Sequence, residues 1–120
     1  MAKLSIRIDL STASSVGPGK IQLLELIDKT GSISAAGRAM NMSYRRAWLL
    51  VEELNQLFKE RVATTKLGGV AGGGAALTPF GRALVRSYRE MESEAHAAVA
   101  KRLNALDAKA VRRARATAGR

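Results

Sequence analysis

The sequence predicts a mainly α-helical domain with one small β-hairpin and a long closing helix. Three observations carry that expectation. Apolar residues recur every three or four positions in separate runs, each run ended by Gly, Asn or Ser. Two short strand-forming segments then flank a glycine cluster. Thr78-Pro79 finally starts a periodic stretch far longer than the others.

At the N-terminus Leu4, Ile6, Ile8 and Leu10 alternate with Lys3, Ser5, Arg7 and Asp9, the period-two pattern of a half-buried strand. The Ser/Gly-rich stretch from Ser11 to Gly19, with Pro18 near its end, reads as a loop. Ile21, Leu24 and Ile27, flanked by Leu23 and Leu26, give a helix over 19–29 that Gly31 stops. Ser32 or Ser34 can cap a second helix, Ala35 to Met40, in which Ala35, Ala36 and Gly37 permit close helix approach. Asn41-Met42-Ser43 is a turn: Asn41 tolerates the left-handed conformation, Met42 plugs the core below, and Ser43 caps the third helix. In that helix Ala47, Leu50, Val51, Leu54 and Phe58 share the inward face, with Tyr44 at its edge. At about 100° per residue, Arg45, Leu49, Glu52 and Gln56 point outward, with Arg46 and Trp48 on the flanks. An outward leucine has no packing explanation.

After Phe58 the pattern changes. Val62, Thr64 and Thr65 favour a strand, five glycines fall within Gly68 to Gly74, and Ala75-Ala76-Leu77 closes a hairpin. A helix, a turn, an exposed helix and a Gly-tipped hairpin make a winged helix-turn-helix. Thr78 then caps, and Pro79 opens, a helix whose stripe is Leu84, Tyr88, Met91, Ala95, Val99, Leu103 and Leu106. About 28 residues at 1.5 Å each span about 42 Å. That stripe is too long for so small a domain to bury, so Leu84, Tyr88, Met91, Ala95, Val99 and Leu103 are expected in a homodimer interface. The expected fold class is therefore mainly α with a small β wing and a long C-terminal dimerisation helix. Residues 1–106 form the domain, and 107–120 a basic, disordered tail.

The 120 residues suit one domain, and a formal net charge of +10 favours a polyanionic partner, nucleic acid first and an anionic membrane second. Residues 101–120 hold seven Lys/Arg against one Asp, so over half of that charge sits in the C-terminal sixth. With no cysteine and His96 as the single histidine, disulfides, thiolate metal sites and histidine chemistry have nothing to build on. No apolar run approaches the ~20 residues of a membrane span, and no signal-peptide core is present. The expectation is a cytoplasmic protein that is not an enzyme, binds no cofactor or metal and does not engage a membrane. Glu52, Glu53, Glu90, Glu92 and Glu94 lack any nucleophile, base or metal partner that would make them catalytic.

The third helix carries the chemistry. A major groove about 12 Å wide admits one helix, whose N-terminal residues meet base edges. Arg45 is suited to a bidentate contact with guanine, and Tyr44 or Leu49 to a thymine methyl. Ser43 and the amides at the helix start suit a phosphate, as does Arg46 on the flank. The bland alternatives are an ordinary helical hairpin and arginines that are merely solvated. Trp48 reads as a packing residue between helices rather than a base contact. In the hairpin, Lys66 supplies charge, and Gly72 and Gly73 let the backbone approach phosphates; a disordered tip is the other reading. The Gly-rich segment does not match a nucleotide P-loop. His96 sits on the long helix as a surface or dimer-seam residue.

At these residues, GSISAAGRAMNMSYRRAWLLVEELNQL and then GGVAGGGAALTPFGRALV, the chain resembles the N-terminal DNA-binding domain of ModE-type molybdate-responsive regulators. A looser likeness to the LysR helix-turn-helix runs from Gly31 to Leu57. The resemblance covers roughly residues 19–100, and its most specific pieces are Ser43–Trp48 and Gly72–Gly81. It implies a winged-helix transcription regulator that dimerises through its N-terminal strand or long C-terminal helix and binds double-stranded DNA at an inverted repeat. The segment matching Ser43–Leu49 would lie in the recognition helix, and that matching Lys66–Gly74 in the wing. Full-length members carry C-terminal oxyanion-binding domains, whereas this sequence ends in a basic tail. Molybdate sensing is therefore not expected of this polypeptide; a separate sensor protein or the dimer would supply any ligand response. The rival expectation is a non-sequence-specific architectural DNA-binding protein.

Overall fold

The computed structural model describes residues 2–11, 14–66 and 74–111. The element order is β1 (Ile8–Asp9), β2 (Ser15–Val16), α1 (Pro18–Thr30), α2 (Ile33–Ala39), α3 (Tyr44–Leu57), β3 (Ala63–Lys66), β4 (Gly74–Leu77) and α4 (Pro79–Ala108). The chain is thus mainly helical, with two small antiparallel hairpins, β1–β2 and β3–β4.

The spine is α1. Ile21, Leu23, Leu24 and Ile27 are all fully buried on one face about 160° wide, and the helix touches α2, α3, α4 and β4. Each such aliphatic side chain contributes about 1.5–3 kcal/mol by leaving water. Pro18 opens the helix, and Gly31 ends it at φ 72°, its amide donating to the Ile27 carbonyl at 2.7 Å. That left-handed residue also turns its own carbonyl to the Ala75 amide at 2.9 Å, which ties the end of α1 to β4.

Several boundaries differ from expectation for local reasons. Ser32 alone caps α2, accepting from the Ala35 amide, so the helix starts at Ile33 and stops at Ala39. The alternating N-terminal segment pairs only at Ile8 and Asp9, although its inward residues Ile6, Ile8 and Leu10 do pack on the core. Its partner, β2, lies inside the stretch read as a loop: Val16 pairs with Ile8 and is buried.

The expected α4 start is found. Thr78 accepts from the Gly81 amide at 2.9 Å, and the helix runs 30 residues, past the expected domain limit at 106. Its stripe is divided. Tyr88 is buried within its own chain and donates its hydroxyl to the Ile6 carbonyl at 2.6 Å; Leu84 packs on the same core. Tyr88 thus belongs to the chain's own core, and Leu84 packs half-buried against it. Met91 is 44% exposed, and Ala95, Val99 and Leu103, half-buried among the described residues, lie farther along the same helix. Arg89 locks α4 to α1 by a bidentate grip on Glu25, at 2.9 and 2.8 Å, and pairs with Glu92 at 2.8 Å. The Glu25 contact holds its guanidinium protonated well above the usual arginine range. Most of the basic tail, residues 112–120, lies outside the described residues.

Candidate nucleic-acid interface

The exposed start of α3 is fixed by the turn before it. Asn41 adopts φ 58°, the left-handed conformation that asparagine reaches at less cost than most residues. The Met42 amide then bonds the Gly37 carbonyl at 2.9 Å, and the chain reverses into α3. Gly37 is buried, and a Cβ there would stand 3.0 Å from that of Ala47, so α2 and α3 meet through their smallest residues. Met42 packs half-buried against the core beneath. Ser43 caps α3 by accepting from the Arg46 amide at 3.1 Å, which leaves its hydroxyl hydrogen free to donate outward.

Ala47, Val51 and Leu54 bury one face of α3, with Leu50 and Phe58 half-buried beside them. The opposite face opens to solvent: Tyr44 is 55% and Leu49 47% exposed, and Arg45 and Arg46 are exposed between them. Trp48, read from sequence as a packing residue, is instead 40% exposed. Its position one turn after Tyr44 places it on the flank rather than over the core. Three large apolar side chains thus stand in water within six residues.

The charges are arranged unevenly along α3. Among the described residues no carboxylate lies within ion-pair distance of Arg45, Arg46 or Lys66. The acids farther along are engaged, Glu52 with Arg61 at 3.4 Å and Glu53 with Lys20 at 3.1 Å. The helix therefore presents uncompensated positive charge at its start, where its dipole adds to it. Lys66 is exposed at the end of β3, whereas Gly72 and Gly73 lie outside the described residues.

What holds the β3–β4 hairpin against α3 is a residue that the apolar pattern hides. Asn55 lies on the flank of α3, about 80° round the helix from Ala47 and beside Trp48, yet is almost fully buried. Its Oδ1 accepts from the Val62 amide at 2.7 Å and the Ala63 amide at 3.3 Å. Next to it, Thr78 donates to the Arg61 carbonyl at 2.6 Å, and its amide bonds the Val62 carbonyl at 3.0 Å. Gly81 allows α4 to pass here, because a Cβ would collide with the Val62 carbonyl oxygen. An edge-to-face contact of Phe58 with Phe80, centroids 5.2 Å apart, closes the joint. The end of α3, the root of the hairpin and the start of α4 form one rigid junction. Asn55 gave no clear signal in the sequence, because its helical angle places it on the flank, where a polar residue is ordinary.

Among the described residues no group of three His, Cys, Asp or Glu is placed to hold a metal ion, and no helix is long and apolar enough to cross a membrane.

No family model matches the chain. It is 37% identical over 99 residues to the molybdenum transport protein ModE of Azotobacter vinelandii, covering 82% of this chain and 36% of that protein. Against the DNA-binding transcriptional dual regulator ModE of Escherichia coli K12 it is 34% identical over 87 residues, 72% of this chain and 33% of that protein. The similarity is to the ModE proteins. The molybdenum-pterin-binding protein MopB of Rhodobacter capsulatus shares 43% identity over 96 residues, 80% of this chain and 34% of that protein. The chain spans about a third of the length of the curated relatives it matches.

Proposed function

We propose that this chain is a winged-helix, sequence-specific DNA-binding transcription regulator, equivalent to the N-terminal DNA-binding part of the ModE proteins. It acts by binding rather than catalysis. In this reading α3 enters the major groove with Arg45 on a guanine edge and Tyr44 and Leu49 on thymine methyls. Ser43 and Arg46 hold phosphates, and the β3–β4 hairpin is the wing, with Lys66 on the backbone. Two copies pair along α4 through Met91, Ala95, Val99 and Leu103, and the dimer meets an inverted repeat with half-sites about 34 Å apart or a multiple of that. A DNA partner implies a cytoplasmic location.

The observation that carries this reading is the start of α3. Arginines without carboxylate partners among the described residues stand beside exposed Tyr44 and Leu49 on a helix whose other face is committed to the core. Mixed charge and apolar surface at a helix N-terminus suits base edges better than it suits water. The net charge of +10 favours a second reading, an architectural protein that coats DNA without preference. Selection of bound sequences from a random duplex library at about 150 mM salt separates the two, because non-specific binding is weak there. Enrichment of an inverted repeat supports the regulator. Retained binding with no enriched motif supports the architectural reading and sinks the first.

A further inference from the structure

The flank of α3 away from the β3–β4 hairpin borders a cleft of about 340 Å³. Arg46 is nine residues before Asn55, two and a half helical turns, so it faces the side opposite the hairpin junction. The cleft is walled by the β1–β2 hairpin, the start of α1 and the turn before α3; Arg7, Lys20 and Arg46 line it, over an apolar floor of Met42 and Leu50. None of its lining residues is acidic.

The three cations are not equivalent. The Lys20 amine is already engaged, donating to the Ser15 carbonyl at 2.9 Å and pairing with Glu53 at 3.1 Å, so it braces the cleft and ties α1 to α3. Arg46 has no acidic partner among the described residues. Arg7 lies against Gly17, its Cγ 3.8 Å from where a Cβ on that glycine would sit, and among the described residues its guanidinium pairs with Asp9, at 3.0 Å. Both members of that pair are about two-thirds exposed. So exposed a pair is weak, and an incoming anion displaces Asp9 at little cost.

We propose that this cleft seats a phosphodiester of the DNA backbone next to the site that α3 reads, gripped by Arg7 and Arg46 from two separate elements. The proposal rests on the reading of α3 as the DNA-reading helix, and gives it a second backbone contact on the flank that the hairpin does not cover. Guanidinium forks match phosphate oxygens, and Met42 with Leu50 offers a surface on which a deoxyribose can rest. Recognition here is independent of sequence: it fixes the register of α3 on the duplex.

The test uses the full chain with two labelled duplexes, one carrying the selected site and one of random sequence. Releasing one counterion at about 0.15 M salt is worth about fivefold, so Arg7→Ala weakens both duplexes about fivefold and lowers the salt slope by about 0.9. Arg7→Lys restores most of the affinity. Asp9→Asn tightens both duplexes by freeing Arg7, a gain that a purely structural Arg7–Asp9 pair would not produce. Asp28→Asn makes the same charge change ten residues past Pro18, about 15 Å along α1, beyond the screening length of about 8 Å, and leaves affinity unchanged. Ethylation of one phosphate beside the half-site weakens the unaltered protein more than it weakens Arg7→Ala, which keeps only the Arg46 contact. If the protein selects a motif yet Arg7→Ala binds with unchanged affinity and slope, the cleft has no such role while the reading of α3 stands. If the unaltered protein has no affinity for either duplex, both fail together.

Discussion

Replacing Asn55 by alanine tests the junction on which the interface depends. The side-chain oxygen accepts from two backbone amides, Val62 at 2.7 Å and Ala63 at 3.3 Å, and both of those residues are fully buried. Each buried donor left without a partner costs about 1–3 kcal/mol, and the longer bond belongs at the low end, so the expected loss is about 3 kcal/mol. With a urea m-value of about 1.5 kcal/mol/M, the midpoint falls by about 2 M. The assay is equilibrium urea unfolding at fixed protein concentration, since an associating chain has a concentration-dependent stability. A midpoint shift below about 0.3 M would refute the argument, because it would mean that water or the backbone satisfies both amides without Asn55.

Three further predictions follow from particular contacts. Tyr88 is held neutral by burial, with Glu92 adding to the effect and Arg89 opposing it, so its folded pKa is raised. Its stabilising contribution is therefore complete below about pH 10 and lost as pH rises through the folded value; Tyr88→Phe should cost about 1 kcal/mol at neutral pH and remove that alkaline loss in a pH series of urea midpoints. Gly81→Ala would gain about 1 kcal/mol at an ordinary helix position, but here the collision with the Val62 carbonyl should reverse the sign and lower Tm. Asn41→Gly should leave stability nearly unchanged while Asn41→Val costs about 1–2 kcal/mol, because only the valine resists φ 58°; equal denaturation curves for the two would contradict this.

The parts of this chain that speak through local chemistry were legible in its sequence. The stop at Gly31, the turn at Asn41, the caps at Ser43 and Thr78 and the inward stripe of α3 each follow from one residue's conformational or hydrogen-bonding habit. What was not legible depends on distant partners. The strand at Ser15–Val16 exists because Ile8 and Asp9 supply its ladder, and nothing in a Ser/Gly-rich stretch announces that. Periodicity placed Leu84 and Tyr88 on the same stripe as Met91 and Val99, but it cannot tell a chain's own core from a second copy. The division falls where the N-terminal segment and α1 stop covering α4. Asn55 sits on a helix flank where polarity is ordinary, and its meaning lay in two amides seven and eight residues away. Trp48 misled in the other direction: its type suggests burial, and its helical angle leaves it in water.

The central claim is that the start of α3 reads bases. Its most direct test measures the affinity of the unaltered protein and of Arg45→Ala for the selected duplex and for every single-base variant of one half-site. The account expects Arg45→Ala to lose about 1–3 kcal/mol on the selected duplex and to lose discrimination at one base pair while keeping it at the others. An equal loss on every duplex, with all preferences intact, would contradict it and reduce Arg45 to one more charge on the surface.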